Sequence, residues 1–285
     1  MDAKALRYLR SLVPKGSRIL RARSEAEFLR RLPEATHAIV WNFKREWFAR
    51  SPRLKVLATP AAGQEFVPTK GPKGVKIHFG HYHGRIISEA VAGFMLSWAK
   101  GFFLVPSAPR QCRAWPRTWL SDKCFDVAGT QAMIVGYGHL GRAIGKKLRL
   151  LGVEVTGITR HRIFGCGSFH DADWLIFALP STTATDNYLD AQLIRRLPRR
   201  CVVINVGRGN AVDERCLYQA LKSRRLAGAY LDVRKHEPSA TALESPGYEP
   251  KLSRLENCIS MPHSAAFSRD YINLAFKELY DDGCL

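Results

Sequence analysis

The chain has few acidic side chains, no paired cysteines and no long apolar run. Asp and Glu number 25 against 44 Lys and Arg in 285 residues, for a formal charge of +19. A field of that sign draws anions, whether nucleic acid, acidic membrane or a small carboxylated or phosphorylated ligand. The seven cysteines, at positions 112, 124, 166, 201, 216, 258 and 284, are odd in number, dispersed and never in a C-x-x-C pair. That spacing argues against a disulfide framework and against a zinc site, and no metal is expected. The first sixteen residues alternate basic and apolar side chains, and the longest apolar run, Ala90–Trp98, is soon followed by Lys100. An export signal and a membrane span are therefore not expected, and a reducing cytoplasm is the expected compartment. Dense basic runs interleaved with aromatics are also missing, which weighs against a nucleic-acid platform. Internal repeats and low-complexity segments are not evident.

What is present is enough apolar sequence, 46% of residues, to fill two compact lobes or one large α/β domain. Short β-type runs at Ser17–Leu20, His37–Trp41, Leu54–Ala58 and Val75–Phe79 alternate with charged segments such as Glu25–Leu32 and Phe43–Arg50. This alternation predicts a βαβα lobe with a parallel sheet. A long apolar helix is predicted from Ile87 to about Phe103. Residues 104–128, broken by Pro106, Pro109 and Pro116 and carrying Trp115 and Trp119, read as an arm suited to a subunit interface.

A second α/β pattern starts at Gln131. Strands are predicted at Ala132–Val135, Val153–Thr159, Trp174–Leu179, Cys201–Val206, Ala227–Asp232 and Asn257–Met261, with helices at Arg142–Leu151, Ala191–Arg196, Glu214–Arg224 and Ile272–Tyr280. Between the first strand and its helix stands Gly136-Tyr137-Gly138-His139-Leu140-Gly141. In a G-x-G-x-x-G turn the first glycine permits the tight bend, the second lets a pyrophosphate approach the backbone, and the third lets helix pack on strand. The strand–turn–helix context favours a dinucleotide site over a merely glycine-rich turn. The end of the next strand, where an acidic residue would accept from a ribose 2′-hydroxyl, holds Thr159, Arg160 and, two residues on, Arg162. Arginine suits a 2′-phosphate instead, so NADP(H) is preferred, with NAD(H) possible. The alternative is that these are exposed residues of a shortened loop.

Four further stretches follow in order: Leu179-Pro180-Ser181-Thr182; Ile204-Asn205-Val206-Gly207-Arg208-Gly209 with Val212-Asp213; Leu231-Asp232-Val233 with Glu237-Pro238; and Met261-Pro262-His263-Ser264-Ala265. Their order and spacing resemble the D-isomer-specific 2-hydroxyacid dehydrogenase family, which includes glyoxylate/hydroxypyruvate reductases, over about Leu54 to Ser268. The resemblance implies a catalytic set of Arg208, Glu237 and His263. Arg208 would clamp the substrate carboxylate and carbonyl, His263 would act as general acid or base, and Glu237 would orient it. It further implies that Leu179, Pro180, Thr182, Val206, Gly207, Asp232 and His263 contact the cofactor together with Gly136, Gly138, His139, Leu140 and Gly141. Asp232 would hold the nicotinamide carboxamide, and Asn205 with Val206 would lie under the nicotinamide side of the site.

In the N-terminal lobe, Ala61-Ala62-Gly63-Gln64-Glu65 falls where the family has a loop that offers backbone N–H groups to the substrate carboxylate, so Ala62 and Gly63 join Arg208 and His263 as substrate-binding residues. Downstream, His78, His81 and His83 suggest a polar, potentially cationic wall of the substrate cleft, with a metal site or plain surface as alternatives.

The expectation is thus a Rossmann doubly wound parallel sheet, residues 89–266 with hinge helix and dimerisation arm, inserted into a smaller flavodoxin-like α/β substrate domain of residues 1–88 and 267–285, with the catalytic cleft between them. The expected activity is hydride transfer from NAD(P)H to a small anionic 2-oxo acid such as glyoxylate or hydroxypyruvate, giving a D-2-hydroxy acid, in a homodimer that engages neither nucleic acid nor membrane. A phosphoglycerate- or phosphite-type dehydrogenase of the same family and a non-catalytic dinucleotide-sensing binding protein are the alternatives. Residues 1–124 carry 23 basic and 8 acidic side chains, and so +15 of the +19. The excess therefore belongs mainly to the predicted substrate lobe and arm, where it would steer small anions.

Overall fold

The computed structural model describes residues 3–63, 65–112, 114–159, 169–237 and 251–285. The chain forms two compact units, Met1–His83 with Phe267–Leu285, and Gly84–Ala266. The division falls at the first residue of a long helix, a little over one turn before the expected boundary at residues 88 and 89.

The first unit begins with α1 (Ala3–Leu12) and α2 (Glu25–Arg31), the latter capped by Ser24, whose side chain accepts from the Glu27 N–H. Strands β1 (His37–Ile39), β2 (Val56–Thr59) and β3 (Lys76–Phe79) form a parallel sheet in the order β1-β2-β3. Strand β2 is central and buried on both faces, with Val56 and Ala58 against α1 on one side and Leu57 against Phe43 and Trp47 on the other. A continuous apolar run is what a doubly covered parallel strand requires.

The strand expected at Ser17–Leu20 does not form. Ile19 is instead partly buried against the cluster of Ala5, Leu9 and Val56, so packing rather than a ladder satisfies it. Phe43–Arg50, one of the charged segments expected between strands, holds a 3₁₀ helix at Arg45–Arg50.

Helix α3 (His83–Ala99) starts four residues earlier than predicted and ends four earlier. The described residues of 104–128 are irregular apart from a 3₁₀ turn at Val105–Ser107 and the short α4 (Arg117–Ser121), and Trp115 is 77% exposed. Next come β4 (Gln131–Val135), α5 (His139–Arg149), β5 (Glu154–Ile158), β6 (Trp174–Phe177), α6 (Ala191–Arg196), β7 (Val202–Asn205), α7 (Glu214–Lys222), β8 (Gly228–Leu231) and β9 (Cys258–Ser260). All six strands are parallel, in the order β5-β4-β6-β7-β8-β9.

Alternation along the strands assigns the two faces. Ile134, Trp174, Ile176, Val202 and Ile204 pack with Phe94 and Met95 of α3 and with Ile144 and Leu148 of α5. Leu175, Phe177 and Val203 pack with Leu193 of α6 and with Leu217 and Leu221 of α7. Helices cover both faces, so the sheet is doubly wound, as expected for a Rossmann domain. The last helix, α8 (Tyr271–Asp281), returns to the first unit, where Phe276 and Leu279 close its core against α1.

Among the described residues, no helix is long and apolar enough to cross a membrane.

Candidate active site

The sheet order reverses between β4 and β6, because the chain leaves β4 for β5 on one side and returns to β6 on the other. In open α/β sheets the crevice beyond the strand ends at such a point is where ligands bind. The loops after β4, β6, β7 and β8 are drawn together there by glycines. A Cβ on Gly136, whose φ is +93°, would stand 2.6 Å from the carbonyl oxygen of Ala178. One on Gly207 would meet the Leu179 nitrogen at 2.6 Å, and one on Gly209 would overlap the Arg234 carbonyl. Side chains at these three positions would force the loops apart.

Gly138 is different. Its φ is −81°, available to any residue, and a Cβ there would meet nothing within 4 Å. Packing inside the protein does not ask for glycine there, so the bare backbone leaves room for something outside the chain. Helix α5 begins directly after it, three residues before the predicted start, so that His139, Leu140 and Gly141 form the first turn, whose N–H groups have no intrahelical acceptor. A helix N-terminus with an uncovered glycine fits the pyrophosphate of a dinucleotide. Thr159 is exposed just beyond β5, and Arg160 and Arg162 lie outside the described residues.

After β6, Leu179 is buried and Pro180 exposed. Thr182 opens a capping box in which its N–H donates to Thr185 Oγ1 at 3.0 Å, while Thr185 Oγ1 donates to the Pro180 carbonyl at 2.8 Å. Thr185 thus shapes the loop assigned to cofactor contact, a role that the sequence motif did not signal.

Asn205 at the end of β7 is fully buried, and both ends of its amide hold the turn that follows. Its Nδ2 donates to the Arg208 carbonyl at 3.0 Å, and its Oδ1 accepts from the Gly207 N–H at 3.1 Å. The amide therefore braces the turn that presents Arg208. Arg208 Nη1 donates to the Gly207 carbonyl at 2.9 Å.

Asp232 and His263 close the arrangement. Asp232 is buried at the end of β8, and its Oδ1 accepts from the N–H groups of Ser264 and Ala265, both at 2.9 Å. Burial pushes its carboxyl up, more strongly than those two N–H groups pull it down. His263 has φ +54°, left-handed backbone rare for a residue with a side chain. Its Nδ1 lies 2.9 Å from Glu237 Oε2. That hydrogen bond raises the imidazole above its ordinary 6.5, outweighing burial, and the Glu237 and Asp232 charges add to it while Arg208 opposes. For Glu237, burial acts upward, but the hydrogen bonds from His263 and from the Arg234 N–H, with the charges of His263 and Arg208, hold it below the usual carboxylate range. The structure therefore brings Arg208, Glu237, Asp232 and His263 into one electrostatic group.

Ala62 and Gly63 lie in the first unit, on the loop after β2, where Ala62 is exposed and the Ala61 carbonyl accepts from the Gly80 N–H at 3.0 Å. His78, His81 and His83 of that unit contact α8 and the residue after it. His78 Nε2 is 2.8 Å from Asp282 Oδ2, the His81 N–H donates to Glu278, and His83 Nε2 is 2.8 Å from Tyr271 Oη. These contacts fasten the terminal helix. Among the described residues, no cluster of three His, Cys, Asp or Glu side chains is arranged to hold a metal ion.

The fold and the grouped loops define a dinucleotide-binding oxidoreductase domain. Residues 92–265 match the model of the NAD-binding domain of the D-isomer specific 2-hydroxyacid dehydrogenases, and the chain belongs to that family. It is 27% identical to a glycerate dehydrogenase of Methylorubrum extorquens over 90% of this chain and 84% of that one. It is also 27% identical to a glyoxylate reductase of Korarchaeum cryptofilum, over 79% and 70%. Among solved structures, the NAD-complexed D-isomer specific 2-hydroxyacid dehydrogenase of Lactobacillus delbrueckii ssp. bulgaricus superposes with a TM-score of 0.77 over 99% of this chain and 94% of that one, at 17% identity, a likeness of fold. The protein is an NAD(P)-dependent oxidoreductase of this family.

Proposed function

We propose that the protein reduces a small 2-oxo acid of the glyoxylate or hydroxypyruvate type to the D-2-hydroxy acid. The observation that carries this reading is the 2.9 Å contact between His263 Nδ1 and Glu237 Oε2, which holds a proton on an imidazole beside an arginine. When bound, the reduced nicotinamide dinucleotide supplies the hydride that adds to the carbonyl carbon.

The chain's own residues do the rest. Arg208 pairs with the substrate carboxylate and polarises the carbonyl, and its fixed charge stabilises the oxygen as negative charge develops. His263, protonated, donates from Nε2 to that oxygen as the carbonyl π electrons move onto it, and Glu237 balances the imidazolium until the proton leaves. In the oxidative direction neutral His263 takes the hydroxyl proton. The backbone N–H groups of Ala62 and Gly63 bind the carboxylate from the first unit.

Gly136, Gly138, His139, Leu140 and Gly141 cradle the pyrophosphate, and Leu179, Pro180, Thr182, Val206 and Gly207 line the cofactor's path. Asp232 Oδ2 meets the carboxamide, since Oδ1 is engaged by Ser264 and Ala265. NADP(H) is preferred over NAD(H) because Arg160 and Arg162 stand where an acidic residue would select against a 2′-phosphate. The exposed Trp115 and Phe102 suit a homodimer interface, and the six free thiols among the described residues suit a reducing cytoplasm.

The test is turnover of glyoxylate and hydroxypyruvate with NADPH and NADH. The expected result is reduction with the higher kcat/KM for NADPH. Normal cofactor binding without turnover of any 2-oxo acid would overturn the reading.

A further inference from the structure

A buried ion pair lies one step behind Glu237. Arg234 directs Nε and Nη2 to the two oxygens of Glu214, both at 2.9 Å, in a bidentate pair whose side chains are only 4% and 15% exposed. Taking two charges out of water costs several kcal/mol per ion before their attraction repays it. Apolar side chains of similar volume at both positions would therefore fold about as well, and stability alone does not account for the pair.

What the pair does account for is the loop between β8 and Glu237. Glu214 is the first residue of α7, whose N-cap Asp213 accepts from the Cys216 N–H, so its carboxylate is fixed to a rigid element at the favourable end of the helix dipole. Its Oε1 also accepts from the Lys235 N–H at 2.8 Å. The Arg234 N–H in turn donates to Glu237 Oε1 at 3.1 Å, leaving Oε2 to face His263. The Arg234 carbonyl is pressed on Gly209, the residue after Arg208, so close that no side chain fits there. The loop is thus held from both sides, by the α7 N-terminus and by the turn that presents Arg208.

We infer that Glu214 and Arg234 are positioning residues, which hold the loop so that Glu237 presents one oxygen to His263 and has the other tied to the Arg234 backbone. This rests on the reading of His263 as the proton-transfer group. Glu237, Asp232 and Arg208 are the charged groups that act on His263, and Lys235 faces Asp186 and Asn187 instead. Loss of the Glu214–Arg234 pair therefore reaches His263 through the placement of Glu237.

The experiment follows the His263 titration by NMR of protein labelled at the imidazole Cε1, with the signal assigned by its loss in His263→Gln. Wild type is compared with Arg234→Lys and with the double variant Glu214→Leu/Arg234→Met, which leaves no lone buried charge. Thermal melts report the fold, and kcat and KM are measured on the same samples. In wild type the His263 midpoint is expected above 6.5. In the double variant it should fall toward 6.5, with kcat lowered by as much as about a hundredfold, the scale of a small misplacement, and KM for cofactor unchanged. Arg234→Lys, which meets Glu214 through one nitrogen, should show a smaller displacement in the same direction. A folded double variant with wild-type midpoint and kcat overturns the inference, and so does an Arg234→Lys enzyme indistinguishable from wild type if the double variant does not fold. A wild-type His263 that titrates at or below 6.5 instead overturns the reading of the Glu237–His263 pair, and the inference with it.

Discussion

The N–H of His263 donates to the Asp232 carbonyl at 2.8 Å, and the two residues after His263 donate their N–H groups to the Asp232 carboxylate. A buried residue at the end of β8 thereby holds a histidine in left-handed backbone beyond β9. Strain of about 1–3 kcal/mol at such a position persists only where the surroundings fix it. Asp232→Ala would leave two N–H groups without their acceptor, and should destabilise the protein by about 2–6 kcal/mol, at about 1–3 kcal/mol per group. Asp232→Asn keeps an acceptor oxygen and should cost less than about 1 kcal/mol. Denaturant unfolding of both variants checks the contrast.

His263→Gln should lower kcat for 2-oxo acid reduction by about 10²–10⁴-fold while cofactor affinity is kept, because glutamine occupies the space but carries no transferable proton. Steady-state kinetics together with fluorescence titration of the reduced cofactor measures both.

The pH dependence follows from the direction of the His263 shift. Its hydrogen bond to Glu237 raises the folded-state value above 6.5. The reductive kcat/KM should be flat below that raised value and fall as pH rises through it, and the oxidative reaction should show the inverse limb. The contribution of the pair to stability has the same sign: it is fully present below the unfolded imidazole value of 6.5 and lost as pH rises through the folded one. Glu237, held below its ordinary 4.5, contributes above 4.5 and loses that contribution as pH falls through its lowered value. A profile whose limb in reduction rises with pH would contradict the assigned protonation state.

Two glycines of one turn should respond oppositely. Gly138→Ala adds a Cβ where the protein has nothing within 4 Å, so the melting temperature should hardly change while cofactor affinity falls. Gly136→Val must adopt φ +93° and meet the Ala178 carbonyl at 2.6 Å, so it should destabilise the fold itself. Calorimetry with and without cofactor separates the two effects.

Arg208→Lys should not rescue Arg208→Ala beyond a small fraction. A lysine brings one point charge to a site that uses a planar fork, and the Asn205-braced turn directs the backbone for the longer side chain. The kcat/KM ratio of the two variants is the measurement.

Much of this protein was legible without coordinates. The parallel lobes follow from short apolar runs spaced by helical segments, and β6, β7 and β8, buried on both faces, read as near-continuous apolar sequence. The glycine turn, Arg208, Glu237 and His263 stand out because each motif is local: its residues lie within ten positions of one another. The strand expected at Ser17–Leu20 failed where local pattern is weakest, since four residues with two partly buried apolar side chains suit a ladder and a packed coil equally well. The contacts of His78, His81 and His83 with Asp282, Glu278 and Tyr271 were not legible in the sequence, because the partners are about 190 to 200 residues away.

The amino-acid order determined the chemistry available: which side chains can clamp an anion, which can move a proton, and where a backbone is bare enough for a phosphate. Only the tertiary structure decided which of them cooperate. Glu214 and Arg234 are unremarkable in sequence, twenty residues apart, one opening a helix and the other following a strand. They meet because parallel strands deliver their C-terminal loops to one edge of the sheet, where glycines allow backbone to touch backbone. Hydrogen bonds at that edge join residues with no sequence relationship, and no local pattern encodes them.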